Sequence, residues 1–201
     1  MGAATEDYWL SVLSEGLDLL ETRGSPHLVI GSLATGHYLG QEWNPTQDID
    51  FFVEPGEAEL LLEPFREAGF SVHRKDERWL YKVARPNVTI DLIFLASEAV
   101  ELDGRLLARA RGAELEGIPF PVPSPEDLWV MKVLTDNLER QSDWYECLRL
   151  ISRSDIDWAY LQERALATSP DRVLAALLYA RSEGVAVDRA TVDVVAGKAL
   201  A

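Results

Sequence analysis

Eight consecutive residues, Val88 to Leu95 (VTIDLIFL), constrain the fold of this chain more than any other stretch. β-Branched and aromatic side chains suit a pleated, packed surface, so the run is expected to be a central strand. A central strand needs partners, and four candidates precede it. His27 to Ile30 reads as a short buried strand running into Gly31-Ser32, and Ile49 to Val53 as a second. Phe70 to Lys75 and Trp79 to Ala84 read as two more, joined by a turn at Asp76-Glu77. Helices alternate with these strands. Residues 6–22 place Trp9, Val12, Leu13, Leu17 and Leu20 on one helical face. Ala34 to Leu39 suggests a short helix. Glu57 to Ala68 suggests a longer one, disturbed at Pro64 and stopped by Gly69. Gln41 to Gln47 is polar and reads as a loop. Leu106 to Glu114 is compatible with strand or helix, and Ile118 to Val122 is broken by two prolines.

From Ser124 onward only helical patterns occur. Ser124-Pro125-Glu126-Asp127 combines a cap, a proline at the first helical position and two acids facing the helix dipole. Leu128, Met131, Leu134 and Leu138 continue it on one face. Apolar spacings around Trp144 to Ile151, Trp158 to Leu166, Val173 to Leu178 and Val192 to Ala196 predict further helices. The expected fold class is α/β (α+β). A core with a mixed sheet spans 1–122, and a C-terminal helical region packed on it spans 123–201.

Charge and cysteine content narrow the function classes. The chain has 201 residues, with 34 acidic and 19 basic side chains and a formal net charge of −15. That acidity argues against coating nucleic acid non-specifically through counterion release. Nine basic residues nevertheless fall within 66–111 (Arg66, Arg74, Lys75, Arg78, Lys82, Arg85, Arg105, Arg109, Arg111), against seven acids. Such a stretch is either a solvated strand surface or a positive wall facing a phosphate-bearing substrate. No apolar run is long enough for a transmembrane helix, so no membrane partner is expected. The N-terminus lacks the basic start and apolar core of a secretory signal. The single cysteine, Cys147, allows no internal disulfide, which makes the cytoplasm the expected compartment.

Three aspartates stand where charge is hard to accommodate. Asp48 and Asp50 open an apolar strand, and alternation puts both on one side of it. Asp91 lies inside the most hydrophobic strand, where a carboxylate is costly unless paired or metal-bound. Three such carboxylates can hold two magnesium ions for in-line phosphoryl or nucleotidyl transfer. Upstream, Gly31-Ser32 marks a strand-to-helix junction. There glycine permits close backbone approach, and a helix N-terminus with a serine hydroxyl can hold phosphate oxygens.

Gly31-Ser32-Leu33-Ala34, Gly40 and Thr46-Gln47-Asp48-Ile49-Asp50, followed by Asp91, resemble the signature of the DNA polymerase beta-type nucleotidyltransferase superfamily. The pattern is most similar to the minimal nucleotidyltransferases of bacterial abortive-infection and toxin–antitoxin systems. Lys132, Arg140-Gln141-Ser142-Asp143 and the Ser124 helix start fit the later elements of that group. The resemblance implies an enzyme that moves a nucleoside monophosphate from a nucleoside triphosphate to a hydroxyl acceptor, with two Mg²⁺ ions and release of pyrophosphate. It implies Asp48, Asp50 and Asp91 as metal ligands and Gly31 and Ser32 as holders of the triphosphate. Asp91 would also help to deprotonate the acceptor, and Lys132 would neutralise phosphate charge. The acceptor could be tRNA, a protein or a small molecule such as an antibiotic, and a toxin-like enzyme would have a cognate antitoxin. A non-catalytic module that binds nucleotide or a partner on the same fold is the alternative.

Overall fold

The computed structural model describes residues 5–41, 48–97, 100–135 and 142–201. They fall into two compact units, Met1–Pro123 and Ser124–Ala201.

The first unit is built on a five-stranded mixed sheet. Its strands are β1 (His27–Val29), β2 (Asp48–Val53), β3 (Ser71–Asp76), β4 (Leu80–Arg85) and β5 (Val88–Ile93), in the order β1-β2-β5-β4-β3. Only β2 and β5 run parallel within it; the other neighbours are antiparallel. The VTIDLIFL segment supplies β5 and lies in the middle, as its composition predicts. Ile49, Phe51, Ile90 and Leu92 share one face of the sheet and are completely buried. Helices α1 (Glu6–Arg23) and α3 (Pro55–Glu67) cover that face. Gly16 makes the close approach of α1 possible: a Cβ there would stand 2.8 Å from Ile90 Cδ1 and 2.9 Å from the Phe51 ring.

Local chemistry sets the element ends. Thr5 caps α1 by accepting a bond from the Tyr8 N–H, and Gly24 closes it in the left-handed conformation at φ 69°. Helix α2 runs Gly31–Leu39, three residues longer at its start than the expected Ala34. The chain turns at Gly31 itself, and Ile30 at the cap position contributes no side-chain bond. Helix α3 continues through Pro64 rather than breaking there.

The ambiguous stretch after β5 resolves into both alternatives. Residues Gly104–Arg109 form helix α4, capped by Asp103, and Arg111–Leu115 form strand β6. Strand β7 (Ile118–Val122) pairs with β6 despite Pro119 and Pro121. The prolines occupy alternate positions, so their missing N–H groups fall on the edge turned away from β6.

The second unit contains α5 (Pro125–Thr135), α6 (Ser142–Arg153), α7 (Trp158–Ala167), α8 (Pro170–Ser182) and α9 (Arg189–Ala199). Trp129, Val130, Leu150, Leu161, Val173, Leu177 and Val195 form its core. Cys147 is buried there as a small core side chain, as its place on an apolar helix face suggests. The two acids opening α5 do more than face a helix dipole. Glu126 and Asp127 are buried, and Glu126 Oε1 accepts the Asp157 N–H at 2.7 Å. Asp127 forms an ion pair with Arg164 at 2.8 Å and accepts bonds from Ser124 and Tyr160. This buried polar cluster ties α5 to α7. Among the described residues, no helix is long and apolar enough to cross a membrane.

Candidate active site

The face of the sheet opposite α1 carries the charged residues. Strand register places Asp50 (β2) directly beside Asp91 (β5), Asp91 beside Lys82 (β4) and Lys82 beside His73 (β3). A row of two carboxylates, one ammonium and one imidazole therefore crosses four strands. Asp48 lies one step along the same face of β2, exposed, opposite Thr89. The alternation expected for Asp48 and Asp50 is met, and the parallel β2–β5 pairing adds Asp91 to their face.

Asp91 is only 8% exposed. Burial pushes its carboxyl above the usual carboxylate range, and the charge of Asp48 pushes it further up. Lys82 opposes both effects: its Nζ donates to Oδ1 and to Oδ2 of Asp91, each at 2.7 Å. The sequence counted Lys82 only among the basic residues of 66–111. A legible signal was available in the two-residue turn Pro86-Asn87, with Asn87 at φ 64°, between two strand-like segments. So tight a connection fixes the register of β4 on β5 and puts Lys82 across from Asp91.

Gly31 and Ser32 meet this carboxylate face at the start of α2. The Ile30 N–H donates to the Asp50 backbone carbonyl at 3.0 Å, which locks the β1 end against β2. Gly31 then has φ 65°, and a Cβ built on it would lie 2.0 Å from Asp50 Oδ2. Only a residue without a side chain brings the start of α2 this close to the Asp50 carboxylate. First-turn N–H groups of a helix lack intrahelical acceptors and carry partial positive charge. Ser32 stands exposed in that turn, one position inside the helix and not at its cap. Thr35 is buried and donates to the Gly31 carbonyl at 2.8 Å.

The donor set suits a hard divalent cation, which takes carboxylate oxygens. Among the described residues, however, no three His, Cys, Asp or Glu side chains converge as a ready-made cluster. The Lys82 ammonium stands in as the cation at Asp91. Lys132 lies on α5 in the second unit, where its Nζ donates to Glu146 Oε2 at 2.6 Å. Arg140 and Gln141 of the Arg140-Gln141-Ser142-Asp143 element lie outside the described residues, as do Thr46 and Gln47.

The basic stretch 66–111 does not present an unopposed positive wall. Arg66 pairs with Glu63, Arg74 with Glu59, Arg78 with Asp76, Lys82 with Asp91 and Arg85 with Glu15. Arg85 also donates to the Ala68 and Gly69 carbonyls at the end of α3 and lies over the Phe70 ring. At least five of the nine basic residues are thus matched to carboxylates within the same unit.

The model of one protein family, described as uncharacterised nucleotidyltransferase, matches residues 13–182. No curated protein matches the chain by sequence. Among solved structures, the antibiotic-resistance factor ANT(2'')-Ia is similar with a TM-score of 0.57 at 15% identity, over 90% of this chain and 97% of that one. The lincosamide antibiotic adenylyltransferase LnuA, solved with lincomycin bound, gives 0.52 at 12% identity over 76% and 100%. An antigenic nucleotidyltransferase-like protein from Paracoccidioides brasiliensis gives 0.51 at 16% identity over 75% and 78%. At these identities the likeness is one of fold.

Proposed function

This chain belongs to the uncharacterised nucleotidyltransferase family, and on that footing we propose that its active site is the Asp50–Asp91 face together with the start of α2. The reaction is transfer of a nucleoside monophosphate from a nucleoside triphosphate to a hydroxyl group, releasing pyrophosphate. One observation carries this reading: Gly31, at a helix start suited to phosphate, is in van der Waals range of a carboxylate paired in register with a second one. Phosphate and cation sites are then a few ångströms apart, as a metal–triphosphate substrate requires.

In this reading Asp48, Asp50 and Asp91 are the oxygen donors for Mg²⁺. A divalent ion held there neutralises triphosphate charge and makes the acceptor hydroxyl easier to ionise. The Gly31 and Ser32 backbone N–H groups and the Ser32 hydroxyl bind triphosphate oxygens. Asp91, whose carboxyl is raised by burial, takes the acceptor proton. Lys132, proposed to neutralise phosphate charge, has its ammonium paired with Glu146.

For the acceptor we favour a hydroxyl-bearing small molecule over RNA. The pairing of five of the nine basic residues on 66–111 with carboxylates weakens the positive surface that an RNA backbone would seek. The similarity in fold to antibiotic-modifying enzymes points the same way. A tRNA or protein acceptor remains an arm of the test.

The experiment is Mg²⁺-dependent pyrophosphate release across the four ribonucleoside triphosphates, with panels of hydroxylated small molecules, tRNA and protein as acceptors. Pyrophosphate release with a small-molecule acceptor, abolished in Asp50→Asn, is the expected result. Transfer to tRNA would overturn the acceptor assignment. Nucleotide binding without turnover under any condition would indicate a non-catalytic module, and indifference to Asp50→Asn would remove the site.

A further inference from the structure

We propose that Lys82 is a tethered counter-ion that keeps Asp91 closed to divalent metal until a nucleoside triphosphate is present. The inference rests on the active-site reading above and concerns the order in which that site fills.

Lys82 is not a loosely placed surface lysine. It projects from β4 directly opposite Asp91, and its side chain is 28% exposed. Both oxygens of Asp91 are engaged at 2.7 Å, which uses the carboxylate face a cation would need. While Lys82 holds both oxygens, a metal cannot bind Asp91 through the face that the two oxygens share.

Three negative charges (Asp48, Asp50, Asp91) and one positive charge (Lys82) occupy this face. Without nucleotide, a dication entering the shared face of Asp91 would sit directly against the ammonium it displaces, and only carboxylates that also bind the metal would offset that repulsion. Like charges at such range repel strongly in a partly desolvated site. A triphosphate changes that balance, because its oxygens give the released ammonium a new anionic partner. Lys82 thereby links the two ligands: each binds better when the other is present, by the same factor. A structural ion pair alone would give stability but no such link.

The test is Mn²⁺ binding, read by electron paramagnetic resonance of the free ion, with and without a non-hydrolysable triphosphate analogue. Wild type, Lys82→Met and Lys82→Arg are compared, with Asp50→Asn as control. In wild type the analogue is expected to tighten Mn²⁺ binding by about tenfold or more, within the usual range of site coupling. Lys82→Met should bind Mn²⁺ about tenfold more tightly than wild type without nucleotide, and should show little further gain with it. Lys82→Arg, which keeps the charge, should retain the coupling. Thermal melting gives a second readout: metal-free Lys82→Met should melt below wild type at pH 8 and recover on addition of Mg²⁺. If Lys82→Met proves unstable, Lys82→Gln serves in its place.

Unchanged Mn²⁺ affinity in Lys82→Met, with the nucleotide effect intact, overturns the inference and leaves the active-site reading standing. Absence of Mn²⁺ binding in every variant, with or without nucleotide, overturns both. Binding that is insensitive to Asp50→Asn places the metal elsewhere and likewise overturns both.

Discussion

Replacing Gly31 by alanine gives the sharpest test of how the start of α2 and the Asp50 carboxylate depend on each other. Two costs can be worked out separately. The residue has φ 65°, and an L-residue forced into that region pays roughly 1–2 kcal/mol. The new Cβ would lie 2.0 Å from Asp50 Oδ2, whereas real Cβ contacts essentially never fall under 3.0 Å. The carboxylate, the helix start, or both must therefore retreat by about 1 Å, and a displacement of about 1 Å in a reacting array costs about a hundredfold in rate. The expected outcome is a folded protein with a modestly lowered melting temperature and pyrophosphate release reduced by about two orders of magnitude. Gly36→Ala is the control. It lies in the same helix at ordinary φ with nothing within 4 Å of the added carbon. That change should leave activity intact and add roughly 0.4–1 kcal/mol of stability. Activity in Gly31→Ala within about threefold of wild type would refute the reasoning, because a hundredfold loss is the size expected from the displacement.

Arg164→Met should destabilise the second unit by about 3–5 kcal/mol, since it leaves the Asp127 carboxylate buried without its ion pair. Burial already raises the Asp127 carboxyl above its ordinary value, so the loss should be larger at pH 8 than at pH 5, where protonation relieves the stranded charge; equal losses in paired denaturation curves would count against this account. Gly16→Ala should cost about 1–3 kcal/mol by overpacking α1 against Phe51 and Ile90, read as a shift in denaturation midpoint without a change in slope. Asp188 caps α9, and bonds from the Thr191 N–H and hydroxyl hold its carboxyl below the ordinary value. Its contribution is therefore full at neutral pH and lost as pH falls through the acid range. Asp188→Ala should lower the melting temperature at pH 7, and the difference from wild type should close toward pH 3.

The sequence carried the sheet because its strands are locally consistent. VTIDLIFL has no other sensible conformation, and Asp48-Ile49-Asp50 alternates cleanly into an apolar strand. Asp91 was conspicuous because a carboxylate interrupts an apolar run. What local sequence does not show is pairing between strands distant in the chain. Nothing local says that β2 runs parallel beside β5, yet that choice puts Asp50 next to Asp91. Lys82 is different: its place across from Asp91 follows from the two-residue Pro86-Asn87 turn, a local signal. Gly31 was visible as a small residue at a junction, but its necessity rests on a three-dimensional distance to Asp50. The stretch after β5 was ambiguous because six helical residues are followed almost at once by five extended ones, too short a span for either period to dominate. Sequence alone presents Asp127 as a dipole partner; its burial against Arg164 and Tyr160 depends on a helix that begins more than thirty residues later.

The pairing of Lys82 with Asp91 also bears on how the chain folds. The two residues are nine apart, within one tight hairpin, so they can meet on the microsecond timescale of local contacts. Asp50 joins Asp91 only through a parallel pairing across forty-one residues, which must wait for the slower closure of a long loop. On these timescales Asp91 is expected to acquire its positive partner before its negative neighbour arrives, an order that φ-values at Lys82 and Asp50 would check. In that order the chain is spared bringing two bare carboxylates together, because Lys82 already matches one of them.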